Sequence, residues 1–200
     1  ARNDMRMIYL ATASKARNKL FKIFGLRFKV IPCMAEEKKT NKGSFAGLVK
    51  ANALSKARDV AGKVKSGIIV AADTVSVQDK KVFGKPRDLK DAKAMLKRFS
   101  ARPQWVYTGV AVIDKETKKT LLGYEKTKVY MDNLTDKEIE DYFSHVSPMD
   151  KAGSFDIQGR GAFFIRRTEG CFYNVVGLPL RTLYRMLKKL DVKIFVFFLV

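Results

Sequence analysis

Cysteine and histidine, the residues that most often carry disulfide, zinc and proton-transfer chemistry, are scarce in this sequence. Its two cysteines, Cys33 and Cys171, lie far apart and lack the short spacing of zinc ligands. The sequence therefore supports neither a disulfide framework nor a zinc site, and a reducing, cytoplasmic setting is expected. The single histidine, His145, falls on the predicted surface of a helix, so the chemistry of this chain must depend on other residues.

Long apolar runs are also missing. The final run, residues 194–200, is shorter than the roughly 20 apolar residues that a membrane-spanning helix needs, and the N-terminal segment ARNDMRM has no apolar core of a signal peptide. We therefore expect a soluble protein without membrane association. Residues 1–6 are interpreted as an added leader and residues 193–200 as an apolar tail of unassigned role. The absence of internal repeats and linkers predicts a single domain over residues 1–200.

Acidic residues are half as numerous as basic ones. The sequence has 20 Asp and Glu against 40 Lys and Arg, which gives a formal charge of +20 and favours polyanionic partners: nucleotides, nucleic acid or an acidic membrane surface. With 46% apolar residues and 14 Phe, the chain is expected to form a globular core. Nucleic-acid binding is the less favoured primary role, because the basic residues are spread along the chain and most aromatic residues occupy core-periodic positions.

One stretch, residues 68–86, combines the features of a buried strand with those of a polar site. The run Ile68–Ala72 suits a strand buried on both faces, and Asp73 interrupts it. An unpaired buried carboxylate is strongly destabilising, so we predict that Asp73 ends this strand facing a cleft that holds a metal, a cation or a proton donor. A polar turn and the loop Gly84–Pro86 follow, in which Lys85 supplies positive charge beside a glycine that permits close approach of a ligand.

Three further groups are candidates for binding an anion or a metal. Ser14 is predicted to cap a basic helix, and with Arg17 it indicates a phosphate cradle at the free N–H groups of that helix; the alternative is an ordinary basic surface helix. Glu36 and Glu37 are candidate ligands of a hard divalent cation, and the alternative is that they are merely solvated. Lys56 lies on a long predicted helix, away from its buried stripe.

Periodicity and capping residues predict alternating strands and helices, and hence an α/β fold. The predicted strands cover residues 7–11, 28–32, 68–72, 104–113, 120–131, 162–165 and 172–176. The predicted helices run from Ser14 to Gly25, from Phe45 to Gly62, from Asp88 to Phe99, from the capping box of Thr135 and Glu138 to Val146, and onwards from Pro179. The glycine-rich segment 150–161 shows neither period and is predicted to be an ordered loop.

Five segments occur in an order and spacing that is typical of one enzyme family. They are LATAS followed by Arg17, AADT at residues 71–74, GKP at 84–86, DKAGSFDIQGRGAFF at 150–164 and YNVVGLPL at 173–180. In these segments, over nearly its whole length, the chain resembles the Maf family of nucleoside triphosphate pyrophosphatases.

The resemblance implies both a fold and a reaction. The fold is a two-lobed α/β fold like that of the inosine triphosphate pyrophosphatases, with a mixed β-sheet and a central nucleotide cleft, commonly as a homodimer. The reaction is the hydrolysis of a nucleoside triphosphate to the monophosphate and pyrophosphate with a divalent cation, Mg²⁺ or Mn²⁺. The sequence lacks the Walker-type phosphate loop, which excludes a P-loop NTPase.

The resemblance also implies roles for individual residues. Asp73 matches the essential aspartate, which acts as general base or as metal ligand. Glu36 and Glu37 match the acidic loop that binds metal. The implied substrate contacts are Ser14, Arg17, Lys56, Lys85 and Gln158.

The motifs DKAG and IQGRG resemble the dTTP/UTP branch of the family, which implies a pyrimidine triphosphate as substrate. Gln158 can pair with the O4 and N3–H edge of thymine or uracil. Lys15 and Ala16 stand where the family usually has proline and arginine, and Asp156 stands where glycine is usual, beside Gln158. CTP and 7-methyl-GTP are therefore alternative substrates, and a nucleic-acid-binding or regulatory protein on the same fold is the alternative function.

Overall fold

A mixed sheet of seven strands organises the chain. The computed structural model describes residues 6–38 and 43–194; residues 1–5 of the predicted leader and 195–200 of the predicted tail lie outside the described residues. The strands are β1 (Ile8–Ala11), β2 (Phe28–Ile31), β3 (Ile68–Gln78), β4 (Lys81–Phe83), β5 (Gln104–Asp114), β6 (Thr120–Met131) and β7 (Ile165–Glu169). Their order in the sheet is β2-β1-β3-β5-β6-β7, with β4 paired to the far end of β3.

Helices connect and cover these strands. They are α1 (Lys15–Ile23), α2 (Phe45–Ala61), α3 (Leu89–Ala101), α4 (Asp136–His145), α5 (Phe172–Val176) and α6 (Leu180–Lys189), and short 3₁₀ turns cover Ala152–Ser154 and Arg160–Phe163. β1 runs parallel to β2 and β3, and the other pairings are antiparallel. The predicted mixed α/β fold is confirmed. Among the described residues, no helix combines the length and apolar composition that a bilayer crossing requires.

β3 is buried on both faces, as its sequence predicts. Val70 and Ala72 pack with α1 and α6 on one face, and Ala71 packs with α2 on the other. Side chains alternate between the two faces along a strand, so consecutive residues of β3 enter different cores. The same alternation sends Asp73 to the α2 side and Thr74 to the α1 side.

Two groups of helices divide the molecule into lobes. α1, α2 and α6 cover β1 and the first half of β3, whereas α3 and α4 build a second core around Phe99 and Ile139 against β5 and β6. Between the lobes one edge of β3 is open, because pairing with β1 ends at Ala71 and pairing with β4 begins at Ser76. On that side, residues 72–75 face a cleft instead of a neighbouring strand.

The sequence predicted that β3 would end before Asp73, and this prediction is wrong. The strand continues to Gln78, because pairing with β5 extends from Ile68 to Val77 and supports the backbone beyond the carboxylate. Asp73 therefore lies within a continuous strand. The open edge of β3, and not a strand end, gives it access to the cleft.

Residues 172–176 form the helix α5 and not the predicted strand. Gly170 and Gly177, on either side, have φ of +125° and +106°, a left-handed conformation that turns the chain at both ends. The Asn174 side chain is fully buried and donates to the carbonyl oxygen of Val106 in β5. This side-chain bond connects the segment to the sheet without strand pairing.

The strand predicted over residues 162–165 is also wrong. The segment Arg160–Phe163 forms a 3₁₀ turn, and β7 starts only at Ile165. The reason lies in Asp156, whose carboxylate accepts a hydrogen bond from the backbone N–H of Gly161 at 3.0 Å. This bond curls the chain before it can pair with β6.

The predicted helix starts are confirmed. Ser14 caps α1, Asp88 caps α3, and Thr135 with Glu138 forms a reciprocal capping box at α4. The helical spacing of α6 predicts that Tyr184 faces inward with Leu183 and Leu187, but Tyr184 is 37% exposed.

Gly109 of β5 marks the point where α2 crosses the sheet. A Cβ atom on Gly109 would lie 2.3 Å from the carbonyl group of Val49 in α2, and a helix backbone cannot easily move aside. We expect Gly109→Ala to lower the free energy of unfolding by about 1–3 kcal/mol, measured by urea denaturation.

Gly62→Ala, at the end of α2, is the matched control. The added Cβ would meet ordinary contacts from 3.5 Å outwards, and Gly62 has right-handed helical backbone angles. Its stability should be unchanged or higher by up to about 1 kcal/mol. Equal unfolding midpoints for the two variants would contradict the close packing of α2 on β5.

Candidate active site

Asp73 is buried at the open edge of β3, where both of its carboxylate oxygens are hydrogen-bonded. The residue is 3% exposed. Lys56 Nζ donates to Oδ1 at 2.6 Å, and Asn52 Nδ2 donates to Oδ2 at 2.9 Å. A buried carboxylate is tolerated when it is paired and hydrogen-bonded in this way. The prediction that Asp73 faces a cation is confirmed.

Lys56 bridges two carboxylates. Its Nζ lies 2.6 Å from Asp73 Oδ1 and 2.6 Å from Oε1 of Glu37, which reaches it from the loop after β2. The prediction that Lys56 lies away from the buried stripe of α2 is wrong, since the residue is 7% exposed. Two carboxylates neutralise the ammonium and make its burial tolerable, an effect that apolar periodicity does not reveal.

The two acidic residues of the loop after β2 differ in their surroundings. Burial alone would raise the pKa of Glu37, but the hydrogen bond from Lys56 and the charges of Lys56, Lys85 and Arg17 outweigh it and hold this pKa below its ordinary value. Glu36 is exposed and makes no ion pair within residues 6–38 and 43–194. The structure therefore brings Glu37, and not Glu36, to the buried carboxylate.

Asn52, which was not among the predicted site residues, connects Asp73 to the backbone of the loop after β2. It lies one helical turn before Lys56 on the same face of α2 and is 2% exposed. Besides its bond to Asp73, its Nδ2 donates to the carbonyl oxygen of Lys38 at 3.0 Å, and its Oδ1 accepts from the Lys38 backbone N–H at 2.9 Å. A polar residue inside an apolar helical stripe, four residues before a lysine, is the signal that could have identified it.

Arg17 of α1 approaches from the other face of β3. Its Nε donates to the carbonyl oxygen of Gly177 at 2.7 Å, and its Nη2 donates to Thr74 Oγ1 at 2.9 Å. Burial lowers the pKa of the Arg17 guanidinium, whereas nearby carboxylates, Asp73 first, raise it. The net shift of the pKa is downward. Because the ordinary pKa of arginine is very high, the group stays charged. Lys56 and Arg17 thus flank the open edge from opposite faces of the strand.

Hydroxyl and amide groups behind the cleft position Arg17. Thr74 Oγ1 lies 2.9 Å from Thr108 Oγ1, which donates to the carbonyl oxygen of Asn174 at 2.9 Å. Asn174 belongs to the YNVVGLPL motif, and Gly177 of the same motif accepts the second hydrogen bond of Arg17. The motif therefore orients a cation of the site.

Ser14 caps α1 at the same end of the sheet. Its Oγ accepts a hydrogen bond from the backbone N–H of Arg17 at 3.4 Å, and the first turn contains no acidic residue. The helix N-terminus thus combines backbone N–H groups with basic side chains, which are the features of an anion site.

Lys85 and Gln158 lie on exposed loops of the second lobe. Lys85 is exposed, and its charge contributes to the lowered pKa of Glu37. The carbonyl oxygen of Gly84 accepts from the backbone N–H of Gly153 at 3.0 Å, which joins the GKP loop to the DKAG segment. No hydrogen bond within the described part of the chain links Gln158 to the carboxylate centre.

Asp156 stabilises its own loop and connects it to α4. Its Oδ1 accepts from the Tyr142 hydroxyl at 2.8 Å and from the Gly161 backbone N–H at 3.0 Å. Burial, followed by the hydrogen bond to Asp156, raises the pKa of Tyr142 and keeps its hydroxyl as a donor. The negative charge expected beside Gln158 is therefore directed toward α4.

Two carboxylates are available for a divalent cation. No group of three or more His, Cys, Asp or Glu side chains that could hold a metal occurs within residues 6–38 and 43–194. Mg²⁺ needs fewer, because it is commonly held by one or two carboxylates together with substrate phosphates. The Lys56 ammonium, 2.6 Å from both Asp73 and Glu37, marks a point where both carboxylates stabilise one cation. This donor set fits a hard divalent cation.

Comparison with solved structures identifies the fold. The chain superimposes on the Ham1 protein of Staphylococcus aureus with a TM-score of 0.53 and 14% sequence identity, over 92% of this chain and 99% of that chain. At this level of identity the likeness shows the fold alone. It agrees with the two-lobed fold implied by the sequence motifs.

Comparison of sequences identifies the family. The chain is 46% identical to the dTTP/UTP pyrophosphatase of Carboxydothermus hydrogenoformans, over 91% of this chain and 97% of the relative. It is 42% identical to the dTTP/UTP pyrophosphatase of Pelotomaculum thermopropionicum, over 92% and 97%. Residues 7–190 match the sequence profile of the family described as Maf-like protein, and the chain belongs to this family.

Proposed function

We propose that this protein hydrolyses a nucleoside triphosphate, preferentially dTTP or UTP, to the monophosphate and pyrophosphate. The observation that carries the proposal is the buried carboxylate of Asp73 at the open edge of β3, paired with Lys56 and flanked by Arg17 on the opposite face of the strand. An acid among cations suits a polyanionic substrate that must react with water. Relatives named dTTP/UTP pyrophosphatases, matched over 91% or more of this chain, support the same substrates.

The reaction is attack of water on one phosphorus of the α–β anhydride. The water oxygen forms a new P–O bond, the bond from that phosphorus to the bridging oxygen breaks, and the water loses a proton. Negative charge spreads over the phosphoryl oxygens, where Arg17, Lys56 and Lys85 stabilise it, and the N-terminus of α1 behind Ser14 binds a further phosphate. We assign the proton to Asp73, whose carboxylate is held in place by hydrogen bonds from Lys56 and Asn52.

Lys56 couples substrate binding to the availability of this base. In the free protein its ammonium is shared between Asp73 and Glu37. Phosphate oxygens compete for the same ammonium, so a bound triphosphate draws Lys56 away from Asp73 Oδ1. That oxygen is then free to accept the proton of the attacking water.

A divalent cation, Mg²⁺ or Mn²⁺, is part of the proposal. Asp73 and Glu37 are the residues that would hold it, and when bound it supplies positive charge at the phosphate oxygens. Glu36 is the weaker candidate ligand, since it is exposed on the same loop without an ion pair to the described residues.

The base preference depends on the loop of the second lobe. Gln158 offers one acceptor and two donors, which complement the O4 and N3–H edge of thymine or uracil. A carboxylate in the pocket would favour the exocyclic amino group of cytosine instead. Because Asp156 is engaged by Tyr142 and Gly161, this argument for CTP loses its support.

The same proposal covers the organisation of the protein. One sheet joins both lobes, which supports a single domain over residues 1–200. The nucleotide substrate supports a cytoplasmic location.

A homodimer is supported by an exposed apolar patch of Ile23, Phe24 and Phe172, which are 59%, 45% and 41% exposed. Both aromatic rings of the patch contact Tyr173.

Product analysis with a panel of nucleoside triphosphates and Mg²⁺ or Mn²⁺ tests the function. We expect pyrophosphate as the first product and the highest kcat/KM for dTTP and UTP. Asp73→Asn keeps the size of the side chain but removes its basicity, so kcat should fall by about a hundredfold or more while the protein stays folded. Orthophosphate as the first product would overturn the reaction class, and preference for CTP or a GTP derivative would overturn only the base assignment.

Asn52 is expected to support the negative charge of Asp73 through its hydrogen bond. Asn52→Asp replaces a donor to Asp73 by a second carboxylate, and like charges disfavour joint ionisation. The acid limb of the kcat/KM profile should therefore move to higher pH. Ser55→Asp adds the same charge at an exposed position of α2 and is the matched control.

Steady-state rates between pH 5 and 9 would measure both variants. A purely structural role of Asn52 would lower the rate equally at every pH. An unshifted acid limb for Asn52→Asp, or an equal shift for Ser55→Asp, would contradict a direct effect of Asn52 on the catalytic carboxylate.

The dimer can be tested at its apolar patch. Phe24→Lys places a charge there, and sedimentation equilibrium should show a dimer for the native chain and a monomer for the variant. Leu89→Lys is the control, because Leu89 is 61% exposed at the start of α3, away from the patch. A native monomer, or a dimer that survives Phe24→Lys, would contradict the assignment of this surface.

A further inference from the structure

The sheet face on which α2 packs extends past the helix and carries four aromatic rings, one of which, Tyr107, contacts Phe45 of α2. Along β5 and β6, Trp105, Tyr107, Tyr124 and Tyr130 occupy positions on one face, while the alternate residues enter the cores. Tyr124 is 43% exposed and the other three are half-buried. Trp105 and Tyr107 also pack against the buried residues Val49, Val75 and Val77. Together the four rings form a partly open surface, which we call the aromatic face.

Cations accompany the rings of the aromatic face. Each of these cations lies at cation–π distance from a ring centroid. Lys126 and Lys128 lie 4.8 and 5.7 Å from the centroid of Trp105. Lys128 and Arg167 lie 5.2 and 4.1 Å from that of Tyr130, and Lys50 lies 5.7 Å from that of Tyr124. Glu169 of β7 lies on the same side but is paired with Arg167 at 3.0 Å. The balance of charge on the aromatic face is strongly positive.

A groove of about 390 Å³ adjoins the aromatic face. It is lined by Phe45, Val77, Trp105 and Tyr107 and by the turn between β3 and β4. The acidic residue at its rim, Asp79, is held by two arginines at 2.5 and 2.7 Å, so its charge is compensated. Val77 lies four residues beyond the catalytic carboxylate of β3, about 13 Å along the strand, which separates the groove from that carboxylate.

We propose that the aromatic face and its groove bind single-stranded nucleic acid. Proteins that bind single strands without sequence preference combine aromatic side chains, on which unpaired bases stack, with basic side chains that contact phosphates. Both components are present here on one sheet surface. The long side chains of Lys126 and Lys128 can turn from the ring of Trp105 to phosphates while a base stacks on the exposed ring of Tyr124.

Other occupants suit this surface less well. A second copy of the chain would bring the cations of one face against the same cations of the other. An anionic membrane is bound best by several projecting apolar side chains, whereas three of these four rings are half-buried in the sheet. A duplex keeps its bases stacked inside and offers none to the rings. The charge and the exposed rings together favour unpaired bases linked by phosphates.

Fluorescence anisotropy with labelled 15-nucleotide probes tests the proposal. The probes are oligo(dA), oligo(rA) and a duplex of the same length, all without a triphosphate, so that the pyrimidine pocket is not engaged. We expect binding of the single strands in preference to the duplex, with an affinity that falls as salt rises. The DNA and RNA probes show which sugar is preferred.

Matched variants locate the binding surface. Lys126→Gln with Lys128→Gln should reduce the salt dependence of binding by about 1.4 in log–log slope, because two phosphate contacts are lost. Tyr124→Ala should weaken binding about tenfold through the lost stacking. Lys188→Gln with Lys189→Gln removes the same charge from exposed positions of α6 and should have little effect.

Triphosphate hydrolysis should be unchanged in all three variants, which shows that they are folded. Failure of the native protein to bind single strands would overturn the proposal. Equal losses for the β6 and α6 lysine pairs would also overturn it, since binding would then reflect net charge alone. Preferential binding to anionic vesicles, or self-association that the β6 substitutions abolish, would assign the face to a membrane or to a second copy instead.

Discussion

The buried ion pair between Asp73 and Lys56 is the interaction on which the arrangement of the site depends. Removing one partner of a buried pair typically costs about 3–5 kcal/mol, because the other charge is left without compensation. Each charge must therefore be brought to the other with further donors and acceptors, and Asn52 and Glu37 supply them. Since Asn52 and Lys56 lie one turn apart on α2, these bonds fix both the rotation of α2 and its height above the sheet. Gly109 allows the helix to come close enough for them to form.

The sheet topology explains why a charge can be placed there at all. A carboxylate in a fully paired central strand would meet apolar neighbours on every side. β3 is unpaired on one edge between Ala71 and Ser76, so Asp73 is buried by α2 on its own face while the strand edge beside it remains open to the cleft. Thr74, directed to the opposite face, brings Arg17 to the same opening. Alternation along one strand thus delivers cations from two helices to one substrate.

Much of this fold could be predicted from sequence periodicity, and two of the errors have a common cause. The strands and helices with regular patterns are present, and β3, which pairing with β5 extends from the predicted end at Ala72 to Gln78, departs most from its predicted bounds. Residues 172–176 look like a strand by composition, and their helical form depends on Asn174 bonding to β5, a tertiary contact that no local pattern contains. The curl at Arg160–Phe163 similarly depends on Asp156. In both segments a single polar side chain overrides the preference of its apolar neighbours.

The candidate site shows the same limit. Motifs identified Asp73, Arg17 and Lys85, because these residues stand in distinctive local sequences. They did not identify Asn52, which lies in an ordinary helix and matters only through its partners in β3 and in the loop after β2. They also could not separate Glu36 from Glu37, since the choice depends on which side chain the loop turns toward Lys56.

In this basic protein, the charge around Lys56 depends on one further acid besides Asp73, which is Glu37. The pKa of Glu37 is depressed in the folded protein, so any stability it contributes is present above its unfolded pKa and is lost as pH falls through its folded pKa. Glu37 is 54% exposed, and solvent screening keeps that contribution small. Protonated Glu37 leaves Asp73 as the one carboxylate among the described residues that is paired with the Lys56 ammonium. The loss of a competing anion makes Lys56 more available to phosphate, but it also removes one of the two carboxylates that would hold a divalent cation. Acid therefore acts on the two binding functions of the site in opposite directions.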